Sequence, residues 1–217
     1  MVKERYNPKK WKKQLCFERI KPKYNRFIKG FQTYQKELQE FLIEDALNTQ
    51  NWAVSSTFLV FDKDEHTKFK NKEEKDINIL GYVTILNDSI RLDSSLKKAF
   101  QKKGINYRSL PALKIGRLCV DSRYERRRLG ECMLVWVAHR VTYLNQNSAC
   151  RFITLDAKRH GDKKKDSFHF YRRYDFKVLK KREKKTDLDI AQQKSGTTPM
   201  YLDLYGVIRK VKDKLNF

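Results

Sequence analysis

One apolar run, LGECMLVWVAHRVTYL (129–144), constrains this chain more than any other segment. It is too long for a strand and apolar on most sides, so it predicts a buried helix. ALKIGRLCV (112–120) before it and CRFITLDAK (150–158) after it read as strands. The link between the first strand and the helix carries Arg123, Arg126, Arg127 and Arg128 and ends an R-x-x-G tetrapeptide at Gly130. A helix N-terminus exposes unpaired N–H groups and about half a unit of positive charge, which makes it an anion site. Gly130 lets a phosphate approach the backbone without meeting a Cβ. Arginines are unfavourable at that end of a helix, and an anionic ligand resolves the conflict. A merely solvated charge run is the plain alternative, but its place at a strand-to-helix junction favours the anion site.

The remaining pattern is mixed. Phe31, Tyr34, Leu38, Phe41 and Leu42 recur at steps of three and four and predict an amphipathic helix. TFLVF (57–61) and INILGYVTIL (77–86) read as strands, and the charged, aperiodic DKDEHTKFKNKEEKD between them as a long solvated hairpin loop. A short helix is expected around SSLKKAFQKKG, another in KDSFHFYRRYDF (165–176), and a last strand over MYLDLYGVI (200–208). Gly116 inside the 112–120 strand signals a bulge or a close backbone approach. The order describes a mixed α/β fold with no repeat and no visible boundary. Residues 1–30 are expected as a basic N-terminal extension packed on or flanking a single domain of residues 31–217.

Charge sets the partner class. Lys and Arg number 49 against 26 Asp and Glu, a formal net charge of +23 in 217 residues. Such an excess repels itself in the folded state unless an anionic partner relieves it, and nucleic acid is the usual one. Residues 1–36 hold nine Lys and three Arg against two Glu, a net of +10, and residues 157–185 hold thirteen basic against four acidic residues, a net of +9. Cys16, Cys119, Cys132 and Cys150 form no C-x-x-C pair, and the histidines show no metal-ligand spacing, so no metal is expected. Free thiols without a signal peptide suggest a cytoplasmic setting. No apolar run reaches the ~18–20 residues that span a bilayer, so no membrane partner is expected.

LCVDSRYERRRLGECML resembles the acetyl-CoA-binding motif of the GNAT acetyltransferases, a strand V-D-x-x-Y running into a Q/R-x-x-G-x-A/G turn. FHFYRRYDF resembles their later F-Y-x-x-x-G-F signature, and LQEFLIEDAL with ILGYVTI looks like the GNAT toxins of toxin–antitoxin modules. The ordered match runs over roughly residues 55 to 206. It implies a bent mixed sheet with flanking helices, splayed between the fourth and fifth strands where acetyl-CoA enters. By position, backbone groups of Leu118, Cys119 and Val120 would meet the pantetheine arm. The turn Arg126, Arg127, Arg128, Leu129, Gly130, Glu131 and Cys132 would hold the pyrophosphate, with Ser167 and Phe170 also beside the cofactor. Tyr171 falls on the tyrosine that family members place near the thioester sulfur, where a phenol of pKa ≈ 10 can protonate the departing thiolate. Glu125, Arg128, Cys132, Asp166 and Asp175 depart from the family pattern. Asp166 stands near an Asn that contacts the cofactor in many relatives, and Asp175 replaces a glycine in a turn.

A missing carboxylate narrows the acceptor without fixing it. ALKIGRLCV offers no carboxylate to deprotonate a lysine of pKa ≈ 10.4, whereas an α-amino group at ≈ 7.7–8.0 is already partly neutral. The amino group of an aminoacyl-tRNA meets that condition and accounts for the charge. Asp121, Glu125 and Asp156 remain candidate bases, beside a water. Lys158, Arg159, Lys163, Lys164, Lys165, Arg172 and Arg173 bracket Tyr171 and are the candidate RNA contacts. Protein or peptide N-acetylation and a catalytically inactive RNA-binding module are the competing readings. The resemblance also leaves room for a homodimer and for an antitoxin partner.

Overall fold

Strands form where β-branched and aromatic residues cluster, and the sheet grows outward from them. The computed structural model describes residues 5–92, 94–162, 166–179 and 193–209. In chain order the elements are α1 (Trp11–Gln14), β1 (Leu15–Arg19), α2 (Asn25–Ile28), α3 (Lys36–Glu40), α4 (Ala46–Asn51), β2 (Ser56–Asp62), α5 (Lys63–Lys70) and β3 (Gly81–Arg91). They continue as α6 (Ser94–Gln101), β4 (Ser109–Val120), α7 (Leu129–Leu144), β5 (Phe152–Lys158), α8 (Phe168–Arg173), β6 (Lys177–Val178) and β7 (Thr197–Asp203). Seven strands hydrogen-bond in the order β1-β2-β3-β4-β5-β7-β6. β1 with β2, β2 with β3, β5 with β7 and β6 with β7 pair antiparallel. Among the described residues no helix is long and apolar enough to cross a membrane.

The chain divides into two compact units, Met1–Leu86 with Ile115–His139, and Asn87–Lys114 with Arg140–Phe217. The first is organised around Tyr24, Phe31, Phe41, Leu42, Leu59, Phe61, Ile79 and Tyr82, all buried. Each such side chain contributes about 1.5–3 kcal/mol by leaving water. The second packs Ile90, Leu92, Phe100, Ala112, Phe152 and Tyr201 together.

Four expectations need correction. The charged segment after β2 is not a loop: Asp62 Oδ1 accepts from the amides of Asp64 and Glu65 and starts α5. Asp64 and Glu65 in its first turn and Lys68 and Lys70 in its last complement the helix dipole. Its buried residue is His66, with Phe69 half-buried one turn on, so hydrophobic periodicity could not reveal it. The amphipathic helix starts later than its pattern: Phe31 is buried ahead of it, and Tyr34, also ahead, is 62% exposed. Between α3 and α4 the Ala46 N–H donates to the Phe41 carbonyl, a π turn that the 3.6 period does not describe. The basic N-terminal segment contributes a strand, β1, with Phe17 stacked on Trp136 at 4.6 Å between ring centres. Finally, β3 begins at Gly81 rather than 77, and β7 spans 197–203 while residues 205–209 turn helical.

Candidate functional site

The β4–α7 junction belongs to the first unit. Along β4, Leu118 and Val120 are half-buried while Cys119 turns into the core, its Sγ 3.4 Å from Thr33 Oγ1. Burial pushes the Cys119 thiol up to about 12. β3 approaches this strand so closely that a Cβ on Gly81 would lie 2.7 Å from the Cys119 carbonyl. A Cβ on Gly116 would lie 3.0 Å from the side-chain Cδ2 of Leu86 and 3.7 Å from the nearest backbone atom, the Thr84 carbonyl oxygen. Gly81 was the stronger constraint, and its place inside INILGYVTIL was the signal for it.

Asp121 follows β4 and is wholly buried. Its carboxylate accepts from the Gln32 amide, the Arg123 amide, and Arg123 Nε and Nη2 at 2.8–2.9 Å. Burial alone would raise its pKa, but the Arg123 hydrogen bonds and the two amides outweigh that and hold it below the usual value. A carboxylate so committed anchors the turn. Asp156 is likewise engaged, 2.7 Å from Lys114 Nζ.

The turn that leads into α7 passes through left-handed backbone. Its left-handed residues are Arg126 and Arg128, both at φ 62, while Gly130 lies in the first turn of α7. Left-handed backbone costs a non-glycine residue about 1 kcal/mol or more, so the fold must over-determine it. A left-handed residue followed by a helical one turns successive N–H groups to one side, which makes an anion-binding nest. The first turn of α7 leaves the amides of Leu129, Gly130 and Glu131 without an intrahelical acceptor. Leu129, Cys132 and Met133 are buried and anchor that turn from below. Burial, then the Glu131 charge, pushes the Cys132 thiol up to about 11.

The arginines divide by role. Arg123 is bound to Asp121, and Arg128 forms a fork on Glu131. Arg126 is exposed. Arg127 lies 5.1 Å from the Tyr124 ring, its carbonyl accepts from the Tyr6 amide, and its Nε is buried without a hydrogen-bond partner among the described residues. An orphaned cationic N–H beside a nest suits an anionic ligand of phosphate type.

The second unit carries α8. Tyr171 is buried, packed edge-to-face against Phe170 and Phe176. Phe170 also meets Tyr174, and Ser167 Oγ donates to the Lys158 carbonyl. Asp175 takes the left-handed geometry (φ 63) expected of it, and the Phe176 amide returns to the Tyr171 carbonyl. Asp166 pairs with Arg159 at 3.1 Å. Of the candidate RNA contacts, Arg172 and Arg173 are exposed and Lys158 is half-buried. Arg159 is only 3% exposed. Lys163, Lys164 and Lys165 lie outside the described residues.

Solved structures were compared with this architecture. A tyrosine-to-phenylalanine mutant of KacT matches with a TM-score of 0.66 at 18% identity, over 91% of this chain and 99% of that one. AtaT complexed with acetyl-methionyl-tRNAfMet matches with a TM-score of 0.67 at 14% identity, over 91% and 99%. The fold is the GNAT fold. AtaTR bound with acetyl-CoA shares it, with a TM-score of 0.64 at 15% identity over 92% of this chain and 98% of that one. No protein-family model and no curated protein matches the chain. In GNAT terms, the β4–α7 junction and α8 are the two segments that the sequence resemblance marked.

Proposed function

We propose that this chain is an acetyl-CoA-dependent N-acetyltransferase whose acceptor is the α-amino group of an aminoacyl-tRNA. The observation that carries the reading is the left-handed Arg128 leading directly into α7, with Asp121 fixing the entry to the turn. In that reading the amides of Leu129, Gly130 and Glu131 bind the pyrophosphate of acetyl-CoA, and Arg126 and Arg127 add charge. The bound cofactor supplies an activated acetyl thioester. Tyr171 Oη would be the proton donor to the thiolate released when the amine displaces it from the acetyl carbonyl. Asp121 is bound to Arg123 and Asp156 sits 2.7 Å from Lys114, which leaves Glu125 or a water to take the proton from the attacking amine. That suffices for an aminoacyl ester, whose α-amino group is more acidic than a lysine. The tRNA-bound AtaT neighbour, the net charge of +23 and the exposed Arg172 and Arg173 support RNA as the carrier of that amine. An AtaT mutant bound to the C-terminus of the antitoxin AtaR makes an antitoxin part of the same reading.

The test is incubation with acetyl-CoA and total charged tRNA, followed by nuclease digestion and mass spectrometry. Acetyl-aminoacyl-adenosine is the expected product. Acetylated protein with unmodified charged tRNA would overturn the choice of acceptor.

A further inference from the structure

We propose that Arg159 is a positioning residue for Tyr171, acting through its buried ion pair with Asp166 at the start of α8. The inference rests on the reading of Tyr171 as proton donor. α8 has six residues, too few to hold a direction by itself, so its orientation must come from outside. Asp166 is where that support converges. Its Oδ1 accepts from the Phe168 amide at 2.9 Å, at the first residue of α8, and its Oδ2 accepts from Arg159 Nε at 3.1 Å and the His160 amide at 3.2 Å. The Arg159 guanidinium also lies 4.1 Å from the centre of the Phe168 ring. Arg159 is itself fixed at the end of β5, its amide donating to the Gly196 carbonyl at 2.9 Å. A second connection runs in parallel: the Ser167 amide donates to the Lys158 carbonyl, and the Ser167 carbonyl accepts from the Tyr171 amide. The end of β5 thus holds the first turn of the helix that carries Tyr171 from two sides.

Burial separates this role from RNA binding. The Arg159 and Asp166 side chains are 2% and 6% exposed, so that guanidinium is not open to a phosphate. Two desolvated charges add little net stability, and their value lies in specifying one geometry.

A double-mutant cycle of Arg159→Gln and Tyr171→Phe tests this, read as steady-state CoA release with acetyl-CoA and charged tRNA. Arg159→Gln should lower kcat about tenfold or more while KM for acetyl-CoA stays within about twofold. In the Tyr171→Phe background it should cost less than about twofold further, because the group it positions is gone. Asp166→Asn should reproduce the Arg159→Gln profile, and Arg159→Lys should recover part of the loss. Losses that multiply across the cycle would overturn the inference, because Arg159 would then act independently of Tyr171. Should Tyr171→Phe turn over like the parent, the proton-donor reading fails and the inference falls with it. Filter binding of charged tRNA gives the second arm: Arg159→Gln should leave affinity and salt slope unchanged. A slope reduced by about one phosphate contact would make Arg159 an RNA ligand and overturn the proposal.

Discussion

Arg128 and Glu131 close a two-pronged ion pair across the start of α7, with Nε–Oε2 and Nη2–Oε1 both 2.8 Å. The pair withdraws an arginine from the helix N-terminus and places a carboxylate in its first turn, the arrangement the helix dipole favours. Arg128 itself lies in left-handed backbone.

Two substitutions separate those roles. Arg128→Gly removes a surface ion pair, at about 0.2–1 kcal/mol, and relieves left-handed strain of similar size, so urea unfolding should change little. Arg128→Val keeps the strain, adds a β-branch and loses the pair. It should unfold at clearly lower urea, by about 1–3 kcal/mol.

Gly130→Val places side-chain bulk on the first turn of α7, among the amides assigned to the pyrophosphate. Calorimetry should show acetyl-CoA affinity falling at least about tenfold, about 1.4 kcal/mol, in a folded variant. Unchanged affinity would remove the phosphate site from this turn.

Acid should destabilise the first unit in two stages. His66 is buried against Glu18, with 2.7 Å between Nε2 and Oε2, and burial depresses the His66 pKa more than the carboxylate raises it. The unfolded chain therefore binds that proton first, and stability falls as pH drops below about 6.5 towards the lower folded value. Burial would raise the Glu18 pKa, but hydrogen bonds from Lys21, Tyr24 and His66 outweigh it and bring it from 4.5 to about 2. Its contribution is complete above 4.5 and is lost as pH falls towards 2. Urea midpoints measured from pH 7 to pH 3 should show both stages, and His66→Gln should abolish the first.

Arg172→Glu with Arg173→Glu reverses two exposed charges in the last turn of α8. Binding of charged tRNA should weaken, and the slope of log affinity against log salt should flatten by about 0.7–0.9 per lost phosphate contact. Acetyl-CoA affinity should stay level. Tight tRNA binding with the parent slope would move the RNA surface elsewhere.

What was legible in the sequence was whatever a single local rule encodes. The apolar run of α7, the β-branched content of β2 and β5, the turn at Asp175 and the R-x-x-G junction follow from period, propensity and backbone preference, which neighbouring residues set. The tertiary structure decided the rest. α5 buries a histidine whose partner, Glu18, lies on β1, so no local hydrophobic period could mark it. β1 is a strand because β2 pairs with it, although its sequence reads as part of a basic tail. The basic residues looked alike in the sequence, yet Asp121 claims Arg123, Glu131 claims Arg128 and Asp166 claims Arg159. Composition counts charges alike, whereas burial and hydrogen bonding to partners distant in the chain determine which of them still face a ligand.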